Sequence, residues 1–200
     1  MLQPHERRLV LASSSPRRKQ LMGLLGLPYD VVVKPVDEQI APGVSPEEAV
    51  RELALRKARA AVKDVRESNQ DAVVIGADTV VVLDGHILGK PRDEQDAFHM
   101  LCALQGKTHQ VYSGVTCIDA VTGKTVVDHC ATAVTFKPLT ESQIMRYIQT
   151  GEPKDKAGAY GIQGRGAVIV EKMEGDYFNV VGLPLSRLND MLRDFGFDVI

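Results

Sequence analysis

Residues 71–79 read Asp-Ala-Val-Val-Ile-Gly-Ala-Asp-Thr. The apolar run Ala72–Ile75 is the most apolar strand candidate in the chain, as expected of a strand at the centre of a sheet. Asp is disfavoured inside strands, yet Asp78 stands at the end of this one, where open α/β sheets place ligands. A turn or capping aspartate is the competing explanation. Beyond Thr79, Val80–Leu83 continues the strand and Asp84-Gly85 turns it into a hairpin.

Upstream, Arg8–Ala12 reads as a short buried strand. Ser15 then suits a helix N-cap, Pro16 suits the first helical position, and Gly26 ends the helix. Tyr29–Val33 is a second strand, and Pro35–Gly43 is a loop carrying Asp37 and Glu38. Ser45-Pro46-Glu47-Glu48 is a capping box opening a long helix to about Val65. Downstream, Asp93 caps a helix to Leu104, and Thr108–Asp119 and Thr125–Phe136 are strands around the turn Val121–Lys124. Thr140 with Gln143 caps a helix ending at Gly151. Asp155–Gly166 is a glycine-rich loop, Ala167–Met173 and Tyr177–Val181 are strands, and Pro184 starts a last helix to about Phe195. Helices alternate with strands early and hairpins dominate later. The expected fold class is therefore α/β and mixed, with a largely antiparallel-extended sheet flanked by helices, in a single domain over residues 1–200.

Composition removes several function classes. The 24 basic and 26 acidic residues give a net charge of −2, which excludes a basic nucleic-acid coat and an acidic disordered tail. Trp is absent and aromatics are only 5%, so no aromatic platform for single strands is expected. Cys102, Cys117 and Cys130 form no Cys-x-x-Cys pair, so they read as reduced thiols of a cytoplasmic protein. The apolar run Leu9–Ala12 is too short for a signal segment, and no stretch approaches a membrane span.

Three segments carry chemistry. At Ser13–Arg18 a strand-to-helix turn bears serines and two arginines. Arginines in a first helical turn oppose the helix dipole, but they suit an anion cradle; solvated surface charges are the alternative. Arg18, followed by Lys19, is the less telling of the two. Asp78 is the second signal. Lys57, Lys90 and Glu38 are each ambiguous alone: a lone lysine is usually surface, and a loop acid is usually solvated. The third is residues 155–166, with glycines at 158, 161, 164 and 166 that permit close backbone approach. Gln163 offers an amide donor and acceptor together, matching a pyrimidine edge; a tight structural loop is the alternative.

Other motifs fail. Thr122-Gly123-Lys124-Thr125 resembles the end of a phosphate-binding loop, but Ile118 occupies the required glycine position. There is no Gly-x-Ser-x-Gly elbow, and no His-x-x-x-His spacing for zinc.

Taken together, these segments resemble the Maf family (septum formation inhibitor-like proteins), which are house-cleaning nucleoside triphosphate pyrophosphatases of Maf/ITPase-like fold. The resemblance runs from Leu9 to about Phe195. It rests on residues 11–18 (Leu-Ala-Ser-Ser-Ser-Pro-Arg-Arg), Glu38, Lys57-Ala58-Arg59-Ala60, Gly76-Ala77-Asp78-Thr79, Gly89-Lys90-Pro91, residues 155–164 and Val181-Gly182-Leu183-Pro184. Within the family this chain resembles the branch acting on dTTP and UTP, having Arg17, Thr79 and Gln163 where the 7-methyl-GTP branch has Trp, Gln and Glu.

The resemblance implies hydrolysis between the α- and β-phosphates. Asp78 is then the proton acceptor; Arg17, Thr79 and Gln163 set specificity. Ser13, Arg17, Arg18, Lys57 and Lys90 bind phosphate, and Glu38 with Asp78 holds Mg²⁺ or Mn²⁺. It also implies a homodimer, and neither nucleic acid nor membrane is an expected partner. Two other readings compete. A nucleotide-binding regulator would bind without turnover, but such a protein needs no general base. An enzyme for purine or modified nucleotides is disfavoured by the Thr79–Gln163 pair.

Overall fold

The computed structural model describes residues 7–68 and 71–200. Of the polar N-terminal stretch Met1–Arg8, with its two arginines, residues 1–6 lie outside these. Along the chain the elements are β1 (Arg8–Leu11), α1 (Pro16–Leu24), β2 (Tyr29–Val31), α2 (Pro46–Glu67), β3 (Ala72–Leu83), β4 (His86–Leu88), α3 (Glu94–Leu104), β5 (Thr108–Asp119) and β6 (Thr125–Phe136). There follow α4 (Glu141–Ile148), 3₁₀ turns at Glu152–Asp155, Ala157–Ala159 and Gly164–Val168, then β7 (Val170–Glu174), α5 (Tyr177–Val181) and α6 (Leu185–Arg193). The strand order among the described residues is β2-β1-β3-β5-β6-β7, with β4 paired to β3. The mixed α/β expectation matches this order.

The chain divides into two compact units, and β3, β5 and β6 each contribute residues to both. The first unit runs to Asp78 and adds Ser113–Cys130 and Gly182–Ile200. Here β1 lies parallel to β2 (Leu9 opposite Tyr29) and to β3 (Leu9 opposite Val73). Ser45 and Glu48 form both bonds of the capping box that starts α2. The buried stripe of α2 is rich in small residues: Ala49, Val50, Ala54, Ala58, Ala61, Val62 and Val65. That stripe lets the helix backbone approach the sheet very closely. A Cβ added at Gly76 would sit 2.2 Å from the Ala54 carbonyl oxygen, and one at Gly114 would sit 2.2 Å from that of Val50. Val10, Val74, Ile118 and Ala120 complete the core against Ala58, Ala61, Val62 and Val65.

Buried Asp119 at the end of β5 pins the next turn, accepting from the amides of Val121 and Thr122 at 2.8 and 2.9 Å and from Arg7. Burial alone would raise its pKa, but these bonds outweigh burial and hold it at about 2, against an ordinary 3.8. Its depressed value means a stabilisation present above 3.8 and lost as pH falls toward 2. Asp119→Asn is therefore expected to lower stability at neutral pH by roughly 2 kcal/mol. It should also flatten the acid limb of the melting temperature against pH; an unchanged acid limb contradicts this assignment.

The second unit comprises Thr79–Tyr112 and Ala131–Val181. Asp84 and Gly85, at φ 50° and 80°, make the tight turn joining β3 to β4. Its core packs Leu101, Leu104, Val134, Phe136, Ile144 and Tyr160. His109, Phe136 and Tyr160 meet edge to face, with His109 Nε2 2.7 Å from the Tyr160 hydroxyl. Burial pushes the His109 imidazole down to about 4, so it is neutral at physiological pH.

Two strand expectations need correction. Tyr177–Val181 is a helix, because the Asp176 carboxylate caps it by accepting from the Phe178 amide at 2.8 Å. Thr132 Oγ1 further anchors Asp176 through its amide and carbonyl, each at 3.1 Å. The strand expected from Ala167 begins only at Val170, since residues 164–168 form a 3₁₀ turn. At α1, Ser15 occupies the N-cap, but its side chain makes no capping bond.

Candidate active site

Asp78 and Gly76 are two residues apart on β3, so their side-chain positions fall on one face of the strand. Gly76 lies against Ala54 and Ala58 of α2, which directs Asp78 toward the same helix. One residue from Ala58, Lys57 meets it: Lys57 Nζ lies 2.5 Å from Asp78 Oδ1. The same ammonium lies 2.7 Å from Glu38 Oε1, on the loop before α2. The absence of side chains at Gly76 and the methyl of Ala58 are what allow this approach. Asp78 and Lys57 are largely enclosed, whereas Glu38 is more than half exposed, with side-chain exposures of 13%, 16% and 57%.

Ser13 and Arg18 belong to the same unit. Ser13 is buried in the turn after β1, and its Oγ accepts from the Ser15 amide at 3.3 Å and faces Arg18 Nη1 at 3.4 Å. Arg18 Nε donates to the Gly182 carbonyl at 2.7 Å. Burial lowers the pKa of this guanidinium from its ordinary value, the Asp78 carboxylate opposes the shift, Arg17 adds to it, and Glu38 opposes it. Arg18 thus shares an electrostatic neighbourhood with Arg17, Asp78 and Glu38. Half-buried Arg17 sits in the first turn of α1. Arg18, the less telling arginine in the sequence, is the one with these bonds. Its acceptor Gly182 has φ 125°.

Of the remaining site candidates, Thr79, Lys90 and Gln163 belong to the second unit. Thr79 follows Asp78 directly in β3 and is half-buried. Lys90 is exposed, next to Gly89, whose carbonyl accepts from the Gly158 amide at 3.0 Å. Gly158 has φ +69°, and a Cβ there would meet Val81 at 2.9 Å. The glycine-rich segment is therefore seated on β3 and beside Gly89-Lys90. Gln163 is half-buried between the second and third 3₁₀ turns. Sequence reading missed Tyr147 and Glu152, which bind this loop through the amides of Gly161, Arg165 and Gly166; no local pattern marks them.

The donor set fits a divalent cation. Two carboxylates, on Asp78 and Glu38, converge on one cationic position, here approached by Lys57 Nζ. Mg²⁺ typically takes one or two carboxylates together with substrate phosphates. Among the described residues no three His, Cys, Asp or Glu side chains gather into a metal cage. Among them, too, no helix is long and apolar enough to cross a membrane.

Comparison with known proteins gives these residues a family. A dTTP/UTP pyrophosphatase of Moorella thermoacetica is 52% identical over 192 residues, covering 96% of this chain and 97% of that one. One of Pelotomaculum thermopropionicum is 54% identical, covering 96% and 98%. Among solved structures, the Staphylococcus aureus Ham1 protein aligns over 65% of this chain and 72% of that chain, with a TM-score of 0.47 and 17% identity. The family of Maf-like proteins matches residues 8–195, from the first strand to the end of the last helix. By that match, and by the half of its residues shared with full-length relatives, this chain belongs to the Maf-like protein family.

Proposed function

We propose that the chain hydrolyses dTTP and UTP to the nucleoside monophosphate and pyrophosphate. The observation that carries this reading is the meeting of Asp78 and Glu38 on Lys57, in the unit that also holds Ser13, Arg17 and Arg18. That inventory suits phosphoryl transfer, in which catalysis is mostly positioning and charge stabilisation.

Water attacks the α-phosphorus. A new phosphorus–oxygen bond forms, the bond to the α–β bridging oxygen breaks, and pyrophosphate leaves with the electron pair. Asp78 accepts the proton of the attacking water. Lys57 holds Asp78 Oδ1 in position through its contact at 2.5 Å. Ser13, Arg17, Arg18, Lys57 and Lys90 bind phosphate oxygens, the guanidiniums by paired contacts. Glu38 and Asp78 would hold a divalent cation, Mg²⁺ or Mn²⁺, and that ion would supply neutralisation of phosphate charge and polarisation of the scissile bond. Arg17, Thr79 and Gln163 set the preference for pyrimidine, and an amide left unpaired by the wrong base costs about 1–3 kcal/mol.

The proposed substrate pool is cytoplasmic, a compartment in which the free thiols of Cys102, Cys117 and Cys130 stay reduced. The whole chain is proposed to act as one catalytic domain, in a homodimer.

The test is pyrophosphate release from dTTP, UTP, CTP, dATP, GTP and 7-methyl-GTP, each with Mg²⁺, Mn²⁺ or chelator. Turnover confined to dTTP and UTP, and abolished by chelator, is expected. Binding of dTTP without turnover of any nucleotide would replace the enzyme by a nucleotide-binding regulator.

A further inference from the structure

Loop 161–166 carries Gln163 at its centre, and both of its ends are tied to one carboxylate–phenol pair. Glu152 Oε2 accepts from the Arg165 amide at 2.9 Å, and Oε1 accepts from the Gly166 amide at 2.9 Å. Tyr147, on α4, donates its hydroxyl to Glu152 Oε1 at 2.9 Å and accepts from the Gly161 amide at 3.1 Å. The loop closes on itself so tightly that a Cβ on Gly166 would lie 2.0 Å from the Gly161 carbonyl oxygen. Gly164 turns with φ +68°, and a Cβ there would lie 2.8 Å from Glu152 Oε2. Beneath Gly161 runs the stem of Lys156, whose ammonium is held by the Glu152 carbonyl at 2.6 Å and Asp155 Oδ1 at 2.7 Å.

We propose that Glu152 and Tyr147 are positioning residues for substrate selection: they fix the loop so that the Gln163 amide meets the base edge in one orientation. This rests on the reading of Gln163 as a base-contacting residue. A glycine-rich loop has many conformations to lose, and hydrogen-bond discrimination requires the reading group to be held within about 0.5 Å. The three donors aimed at Glu152 require an acceptor on both oxygens. Burial would raise the carboxyl's pKa, but the amides of Gly166 and Arg165 and the Tyr147 hydroxyl outweigh it, so the ionised form with two accepting oxygens is favoured. A glutamine has one such oxygen, and its amino group would face a backbone N–H.

The experiment compares kcat/KM for UTP and CTP in wild type, Gln163→Ala, Glu152→Gln, Tyr147→Phe and the Glu152→Gln/Gln163→Ala double variant, with melting curves for each. Gln163→Ala is expected to reduce the UTP-over-CTP preference about tenfold. Glu152→Gln and Tyr147→Phe should each reduce it several-fold, mainly through KM for UTP. The double variant should discriminate no worse than Gln163→Ala alone. If Gln163→Ala reduces the preference while folded Glu152→Gln and Tyr147→Phe keep it, the positioning role is wrong. If Gln163→Ala itself keeps the preference, the base-reading assignment fails and the inference falls with it. Should Glu152→Gln not fold, Tyr147→Phe, which removes a single hydroxyl, decides the question in the same way.

Discussion

Asp78→Asn is expected to reduce kcat for dTTP by about 100- to 10,000-fold, the contribution a positioned general base makes to proton transfer. The substitution keeps the size of the side chain and removes its capacity to take a proton. It also removes one of the two carboxylates that meet Lys57 Nζ. The proposed phosphate-binding groups Ser13, Arg17 and Arg18 are untouched, so the dissociation constant for dTTP should change much less than kcat. Initial rates of pyrophosphate release, paired with calorimetric titration of dTTP, separate the two quantities. A variant retaining a tenth or more of wild-type kcat would place the base elsewhere.

Gly76→Ala is expected to damage the fold severely. Its Cβ would enter within 2.2 Å of the Ala54 oxygen and 2.8 Å of the Ala58 amide nitrogen. Both are backbone atoms of α2, so no side-chain rotation relieves the clash; helix and strand must separate. Overpacking of this kind costs about 3 kcal/mol or more, which corresponds to a melting-temperature drop of roughly 10 °C at this chain length. The same displacement would carry Lys57 away from Asp78, because Lys57 adjoins Ala58 on the stretch of α2 that packs against Gly76. A folded Gly76→Ala protein should therefore also lose turnover. Gly23→Ala provides the contrast: a Cβ there meets nothing within 4 Å and sits inside α1. It should raise stability by about 0.5–1 kcal/mol. Equal melting temperatures for the two variants would contradict this picture of how α2 packs.

Local chemistry was legible wherever it was self-contained. The capping boxes at Ser45–Glu48 and Thr140–Gln143 form both of their bonds, and Asp93 caps α3 through the Asp96 amide. The apolar run Ala72–Ile75 does lie within a buried central strand, between β1 and β5. Tyr177–Val181 reads as a strand because its aromatic and β-branched residues, Tyr177, Phe178, Val180 and Val181, all favour one. Five residues are too few for helical periodicity, and the cap that decides the matter is held by Thr132, 44 residues away.

The candidate site divides along the same line. Asp78 and the Ser13–Arg18 turn stand out locally, since an acid in an apolar strand and arginines at a helix start both run against propensity. Asp78 lies inside β3 rather than at the strand end the sequence suggests, because Val80–Leu83 continue the same strand. The pairing of Asp78 and Glu38 on Lys57 depends on the approach of α2 at Gly76, which no local pattern encodes. Glu152 and Tyr147 were invisible for the same reason: their partners are backbone amides 13 or 14 residues away.

The most direct test of the central claim is to hydrolyse dTTP in ¹⁸O-enriched water and locate the label by mass spectrometry. Attack at the α-phosphorus predicts dTMP carrying one ¹⁸O and unlabelled pyrophosphate. Label in pyrophosphate would place the attack at the β-phosphorus, and dTDP with labelled inorganic phosphate would place it at the γ-phosphorus. Either result would contradict the mechanism.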